Sequence, residues 1–109
     1  MVEYETQLDS IFLSLADTTR RDMLRLLNVY GSLSIGEIAS HYRLTFAGVS
    51  KHVKVLESAR LVVKKRKGQQ RIVNLSPSAL KSADEYLKNY EAIWNERFDR
   101  LDKLLKEEK

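Results

Sequence analysis

Two clusters in the middle of the chain hold the side chains best suited to chemistry. Lys64, Lys65, Arg66, Lys67 and Arg71 fall within eight residues, with no acid among them. Just upstream, TFAGVSKHVKVLESA (45–59) carries Ser50, Lys51, His52 and Lys54. Ammonium and guanidinium groups at this density suit phosphate oxygens, and a hydroxyl or an imidazole adds directional hydrogen bonds. The chemistry implied is polyanion binding. Nothing suggests catalysis: no nucleophile stands beside a base, no glycine-rich phosphate loop occurs, and there is no cysteine to act as nucleophile or soft metal ligand. The reading is a non-enzyme that needs no cofactor.

Charge is unevenly distributed. Residues 1–19 carry Glu3, Glu5, Asp9 and Asp17 and no base; residues 20–75 hold twelve Lys/Arg against Asp22, Glu37 and Glu57; residues 76–109 are nearly balanced. The net +4 of the whole chain therefore understates a strongly basic middle. That middle is the segment expected to meet a polyanion.

Helices and a hairpin must position these groups. Leu8, Ile11, Phe12 and Leu15 recur at helical spacing over 4–15. Asp17 or Thr18 can cap a second helix with Met23, Leu24, Leu26 and Leu27 inward, and Gly31 can end it. Ser34 and Glu37 form a capping box for a short third helix, about 35–42. Thr45 caps a fourth, whose inward stripe is Val49, Val53 and Leu56. Only Arg43 and Leu44 separate the two, so they form a helix-turn-helix candidate. Leu61–Lys65 and Arg71–Leu75 read as strands, joined by a turn at Lys67-Gly68-Gln69-Gln70. A hairpin directly after a helix-turn-helix is the plan of a winged helix. Ser76-Pro77 then opens a final helix that runs to about 107 without Gly or further Pro.

The expected fold is mainly α with a small β-hairpin: one winged-helix domain over 1–109, with the helix-turn-helix at 35–59, the wing at 61–75 and a long C-terminal dimerisation helix at 77–107. With Val49, Val53 and Leu56 inward, Phe46, Ala47, Ser50, Lys51 and Lys54 fall on the outer face of the fourth helix. A major groove admits one helix, and Ala47 and Gly48 allow close approach. The competing reading is an ordinary surface helix with two lysines. In the hairpin, Lys65 and Lys67 share one face, and Lys64 and Arg66 share the other. Five like charges exceed what blunting a sheet edge requires. His52 reads as structural or as a phosphate donor, and His41 as a cation at a helix end. Asp84, Glu85, Glu91, Glu96, Asp99 and Asp102 alternate with Lys and Arg as on a solvated face, not as metal ligands.

A helix of about 30 residues extends about 45 Å, beyond the body of so small a domain. Its far half must bury Trp94, Phe98, Leu101, Leu104 and Leu105 against something, and a second copy is the simplest partner. The expected dimer surface is Leu8, Ile11 and Phe12 with Leu87, Tyr90, Trp94, Phe98, Leu101 and Leu105. MVEYETQLDS lacks the apolar run of a signal peptide, and no segment is apolar over the about 20 residues that cross a bilayer, so a cytoplasmic protein without membrane contact is expected.

LADTTRRDMLRLL (15–27), LSIGEIASHYRLT (33–45), VSKHVKVLESARLV (49–62) and KKRKGQQRIVNL (64–75) together resemble the ArsR-type (ArsR/SmtB) winged-helix regulators, and YEAIWNERFDRLDKLL (90–105) looks like the branch that does not sense metal. The resemblance implies a homodimer joined through the first and last helices, and a repressor on a two-fold symmetric operator in double-stranded DNA. It places Thr45, Ser50, Lys51 and His52 at DNA-contacting positions and makes Lys64 to Arg71 the wing. The chain departs from the pattern at Thr18, where proline is usual, and at Phe46, where a polar residue is usual. The stretch Ser34-Ile35-Gly36-Glu37-Ile38 lacks the cysteine motif, and the last helix lacks histidine, so no metal is expected. Operator and inducing effector stay open. The alternative is a winged-helix protein-interaction module with only non-specific DNA binding.

Overall fold

The computed structural model describes residues 2–107, with side chains from Thr6 onward. Met1, Glu108 and Lys109, included in the expected 1–109 domain, lie outside the described residues, as do the side chains of Glu3 and Glu5 from the acidic N-terminal segment. The element order is α1 (Val2–Leu15), α2 (Thr18–Tyr30), β1 (Ser32–Ser34), α3 (Ile35–Tyr42), α4 (Phe46–Ser58), β2 (Val62–Lys67), β3 (Gln70–Leu75) and α5 (Pro77–Glu107). The expected class, mainly helical with a hairpin wing, holds.

Each helix boundary has a local cause. The Asp17 side chain accepts from the Arg20 N–H and starts α2; Gly31, at φ 83°, ends it with its N–H on the Leu27 carbonyl. Asp17, rather than Thr18, is thus the cap. At α3 the capping box is complete: the Glu37 N–H donates to Ser34 Oγ at 3.1 Å, and the Ser34 N–H to Glu37 Oε1 at 3.0 Å. Arg43, at φ 55°, makes the left-handed turn that separates α3 from α4. Thr45 starts α4 by accepting from the Gly48 N–H at 3.0 Å.

The sheet has three antiparallel strands in the order β1-β3-β2. Sequence reading missed β1. Three residues wedged between a helix end and a helix cap carry no usable periodicity, and pairing with β3 makes them a strand. The hairpin turn is two residues, Gly68-Gln69, with Gly68 at φ 62°, where a two-residue hairpin loop selects glycine. The core joins Ile11 of α1, Met23 and Leu27 of α2, Ile35 and Ile38 of α3, Val49, Val53 and Leu56 of α4, Leu61, Val62 and Val73 at the base of the wing, and Ala79 and Ala83 of α5.

Beyond Tyr86, α5 leaves this core, and every described residue from Leu87 to Glu107 is exposed. The molecule accordingly measures 69 × 31 × 20 Å, with a radius of gyration of 19.0 Å, against about 13 Å for a compact chain of this length. Leu87, Trp94 and Leu101 recur at heptad spacing, with Tyr90, Phe98 and Leu105 beside them. Trp94 and Phe98 stack at 5.7 Å. Ile93 widens the stripe beyond the expected residues. Beside the stripe run i,i+4 ion pairs, Lys88–Asp84 at 3.0 Å and Lys106–Asp102 at 3.2 Å.

Candidate nucleic-acid interface

The site is assembled on α4 and the β2–β3 hairpin. Val49, Val53 and Leu56 are fully buried, which fixes the rotation of α4 and turns its other side out. On that side Phe46, Ala47, Lys51 and Lys54 are exposed, Ser50 is half-buried, and Thr45 stands exposed at the start. The Phe46 ring is 57% exposed, so it does not pack into the core. It flanks a cavity of about 350 Å³ with Ile35, Gly36, Gln70 and Arg71, where the starts of α3 and α4 meet the wing turn. Gly48 has a structural reason beside the expected close approach: an added Cβ would meet Thr45 Oγ1, the cap oxygen, at 3.1 Å.

In the hairpin, Lys65 and Lys67 share the outward face with Val63, and Lys64 and Arg66 lie on the side of Val62. Lys64 is held differently from the rest. Its Nζ lies 3.7 Å from Glu57 Oε1 of α4, and only a quarter of its side chain is exposed. Arg66 stands directly opposite Arg71 across the ladder. The tip thus presents Lys65, Arg66, Lys67 and Arg71 to solvent, and Lys64 braces the wing against α4.

His52 lies on the flank of α4 that meets the α1–α2 junction. Its Nδ1 is 3.4 Å from Arg20 Nη1 and 3.9 Å from Asp17 Oδ2. Arg20 also donates to two carbonyls at the end of α1, from Nε to Ser14 at 2.8 Å and from Nη2 to Leu13 at 3.1 Å. The buried Ser14 hydroxyl donates to the Val55 carbonyl of α4. Arg20 was missed in the sequence. Its signal was its place: a cation in the first turn of a helix is disfavoured by the helix dipole, so its charge must be used elsewhere. The bond from the Arg20 backbone N–H, above all, holds the Asp17 carboxyl below its ordinary range. Arg43, exposed in the turn before α4, was also missed as a cation beside the site.

A second polar group ties α2 to α3. Tyr42 Oη donates to Asp22 Oδ2 at 2.6 Å, and Arg25 Nε donates to Asp22 Oδ1 at 2.8 Å. Arg25 first, and Tyr42 second, lower the Asp22 carboxyl; burial, then the bond to Asp22, raises the Tyr42 hydroxyl. His41, in the last turn of α3, packs edge-on against Tyr42 at 4.9 Å.

The residues expected to form a dimer surface divide. Leu8 and Ile11 are buried within the single chain, at 7% and 0% exposure. Phe12 is half-buried against Tyr86, which continues to Tyr90. Leu87, Tyr90, Trp94, Phe98, Leu101 and Leu105 are all about half exposed. Among the described residues no three His, Cys, Asp or Glu side chains are grouped to hold a metal ion, and no helix is long and apolar enough to cross a membrane.

A helix-turn-helix domain family matches residues 15–65, from the end of α1 into β2. The HTH-type transcriptional regulator Rv2034 of Mycobacterium tuberculosis is 39% identical over 72 residues, 66% of this chain and 66% of its own length. The uncharacterized HTH-type transcriptional regulator YuzN of Bacillus subtilis is 36% identical over 80 residues, 68% of this chain and 87% of its own. The transcriptional repressor SdpR of Bacillus subtilis is 29% identical over 83 residues, 76% and 91%. Among solved structures, an ArsR-like transcriptional regulator from Rhodococcus shares the fold at TM-score 0.81 with 22% identity, over 97% of this chain and 96% of that one. An ArsR family transcriptional regulator superposes at TM-score 0.77 with 25% identity, over 84% and 93%. A homodimeric winged helix-turn-helix DNA-binding domain from Mycobacterium bovis shares the fold at TM-score 0.67 with 19% identity, over 83% of each chain. An outward basic α4, a basic hairpin after it and these likenesses converge: the chain belongs to the ArsR-type winged helix-turn-helix transcriptional regulators.

Proposed function

We propose that this chain is a homodimeric repressor that acts in the cytoplasm on an inverted-repeat operator in double-stranded DNA. The observation that carries the reading is that the exposed start of α4 adjoins the basic wing turn, where Phe46 and Arg71 line one cavity, while Lys51, Lys54, Lys65 and Lys67 are all exposed. Residues 35–59 serve as the helix-turn-helix, 61–75 as the wing and 77–107 as the dimerisation helix. Each α4 enters a major groove, with the two about one helical turn (about 34 Å) apart along the duplex. Thr45, Phe46, Ala47 and Ser50 face bases, with Phe46 suited to a thymine methyl. Lys51, Lys54, Lys65, Arg66, Lys67 and Arg71 neutralise phosphates. His52 donates from the flank of the helix, and Lys64 acts mainly by holding the wing. The unpartnered stripe of α5 supports the dimer, as does the homodimeric relative in fold; repression is supported by SdpR.

Selection of sites from random duplex DNA, with mass measured by light scattering, tests this. A dimer that recovers an inverted repeat is the expected result. A stable protein that recovers no motif and binds only through salt-sensitive charge overturns it. The same α5 stripe favours the second reading, an interaction module, which that outcome would promote.

A further inference from the structure

We infer that Arg20 is a positioning residue for DNA recognition: it holds His52 in the tautomer whose Nε2 carries the proton, leaving that N–H free to donate to DNA. The inference rests on the DNA-binding reading and adds to it a residue outside the contact surface. A guanidinium has only donors, so the 3.4 Å approach of Arg20 Nη1 to His52 Nδ1 requires Nδ1 to be the acceptor. Neutral imidazole then has its single proton on Nε2. The carboxylate that could draw a proton to Nδ1, Asp17 Oδ2, is at 3.9 Å, beyond hydrogen-bond reach. Arg20 is itself anchored by the Ser14 and Leu13 carbonyls, so it approaches His52 from a fixed base. Among the described residues nothing bonds His52 Nε2, and about a quarter of the side chain is open to solvent.

The same contacts join the end of α1 to α4. Arg20 reaches His52 from the α1 carbonyls, and Ser14 Oγ, itself 1% exposed, holds the Val55 carbonyl one turn further along α4. A shift of α1 would therefore move the donor as well as the helix that carries it.

Nitrogen-15 NMR of the imidazole rings in the full-length protein at neutral pH tests the tautomer directly. The expected spectrum has His52 protonated at Nε2 only. In Arg20→Lys, which keeps the charge but loses the fork, the two tautomers should mix. Affinity for the selected operator is then compared with affinity for a scrambled duplex. His52→Gln can present an amide N–H near the place of Nε2, whereas His52→Phe keeps only the ring. His52→Gln should retain operator affinity to within about threefold, and His52→Phe should lose about tenfold, the value of one hydrogen bond to a charged group. Arg20→Lys should lower operator discrimination, and Arg20→Lys in the His52→Phe background should add little to the loss. Thermal melts separate these effects from unfolding. A His52 ring protonated at Nδ1, a tolerated His52→Phe with a damaged His52→Gln, or additive losses would each overturn the proposal. Failure to select any operator would instead sink the DNA reading, while the ring spectrum would still decide the tautomer.

Discussion

Single side chains here do two jobs where their charge and their packing differ. Lys65 and Lys67 stand free on the wing, so Lys65→Ala with Lys67→Ala should weaken binding on every sequence and flatten the dependence on salt, read from titrations at several ionic strengths. Lys64, paired with Glu57, should contribute less to that slope. Thr45 caps α4 and also faces the proposed groove; Thr45→Ala should cost about 1 kcal/mol in chemical denaturation before any effect on DNA. Three carboxyls, Asp17, Asp22 and Glu37, are each held below their ordinary range, chiefly by the Arg20 backbone N–H, the Arg25 side chain and the Ser34 backbone N–H respectively. Folding favours their charged forms, so the stability they confer is complete above the usual carboxylate range. It is lost as pH falls through about 4 and below. Melting curves across that range should show the decline, and Glu37→Gln should make it shallower.

Elements differ in how much of them could be read beforehand. The caps at Ser34 and Thr45, the cap at Asp17 to within one residue, and the inward stripe of α4 were legible because each is a local rule, satisfied within one turn of helix. The strand β1 was not, because a three-residue strand exists only through its partner. Nor was the division of the apolar residues. Leu8 and Ile11 share a helical spacing with Phe12, and periodicity does not say whether a stripe meets its own chain or another. The structure gives each helix its share. Ile11→Ala should destabilise the fold by about 2–5 kcal/mol. Trp94→Ala with Leu101→Ala should leave the folded body intact, because the last core residue of α5 is Ala83, and should shift the mass in light scattering toward the monomer. The site was legible as far as its charges; the link from Arg20 to His52 was not, since it joins residues 32 positions apart through space.

The whole molecule is a small packed body with a long amphipathic arm and a basic middle flanked by a compensating acidic start. If two such arms pair, the melting temperature should rise with protein concentration, which calorimetry at several dilutions would reveal. Salt acts on the body in a less obvious way. Arg66 and Arg71 face each other across the last rungs of the wing, just where strand pairing ends at Gly68. Like charges set opposite one another weaken a ladder. In free protein, added electrolyte screens that repulsion and should tighten the hairpin, slowing hydrogen exchange of its amides. On the proposed DNA target the phosphates would perform the same neutralisation, and added electrolyte would displace them. If the wing meets DNA as proposed, its target would also quench the repulsion within it: one variable, ionic strength, should order the hairpin in isolation and release it from the complex.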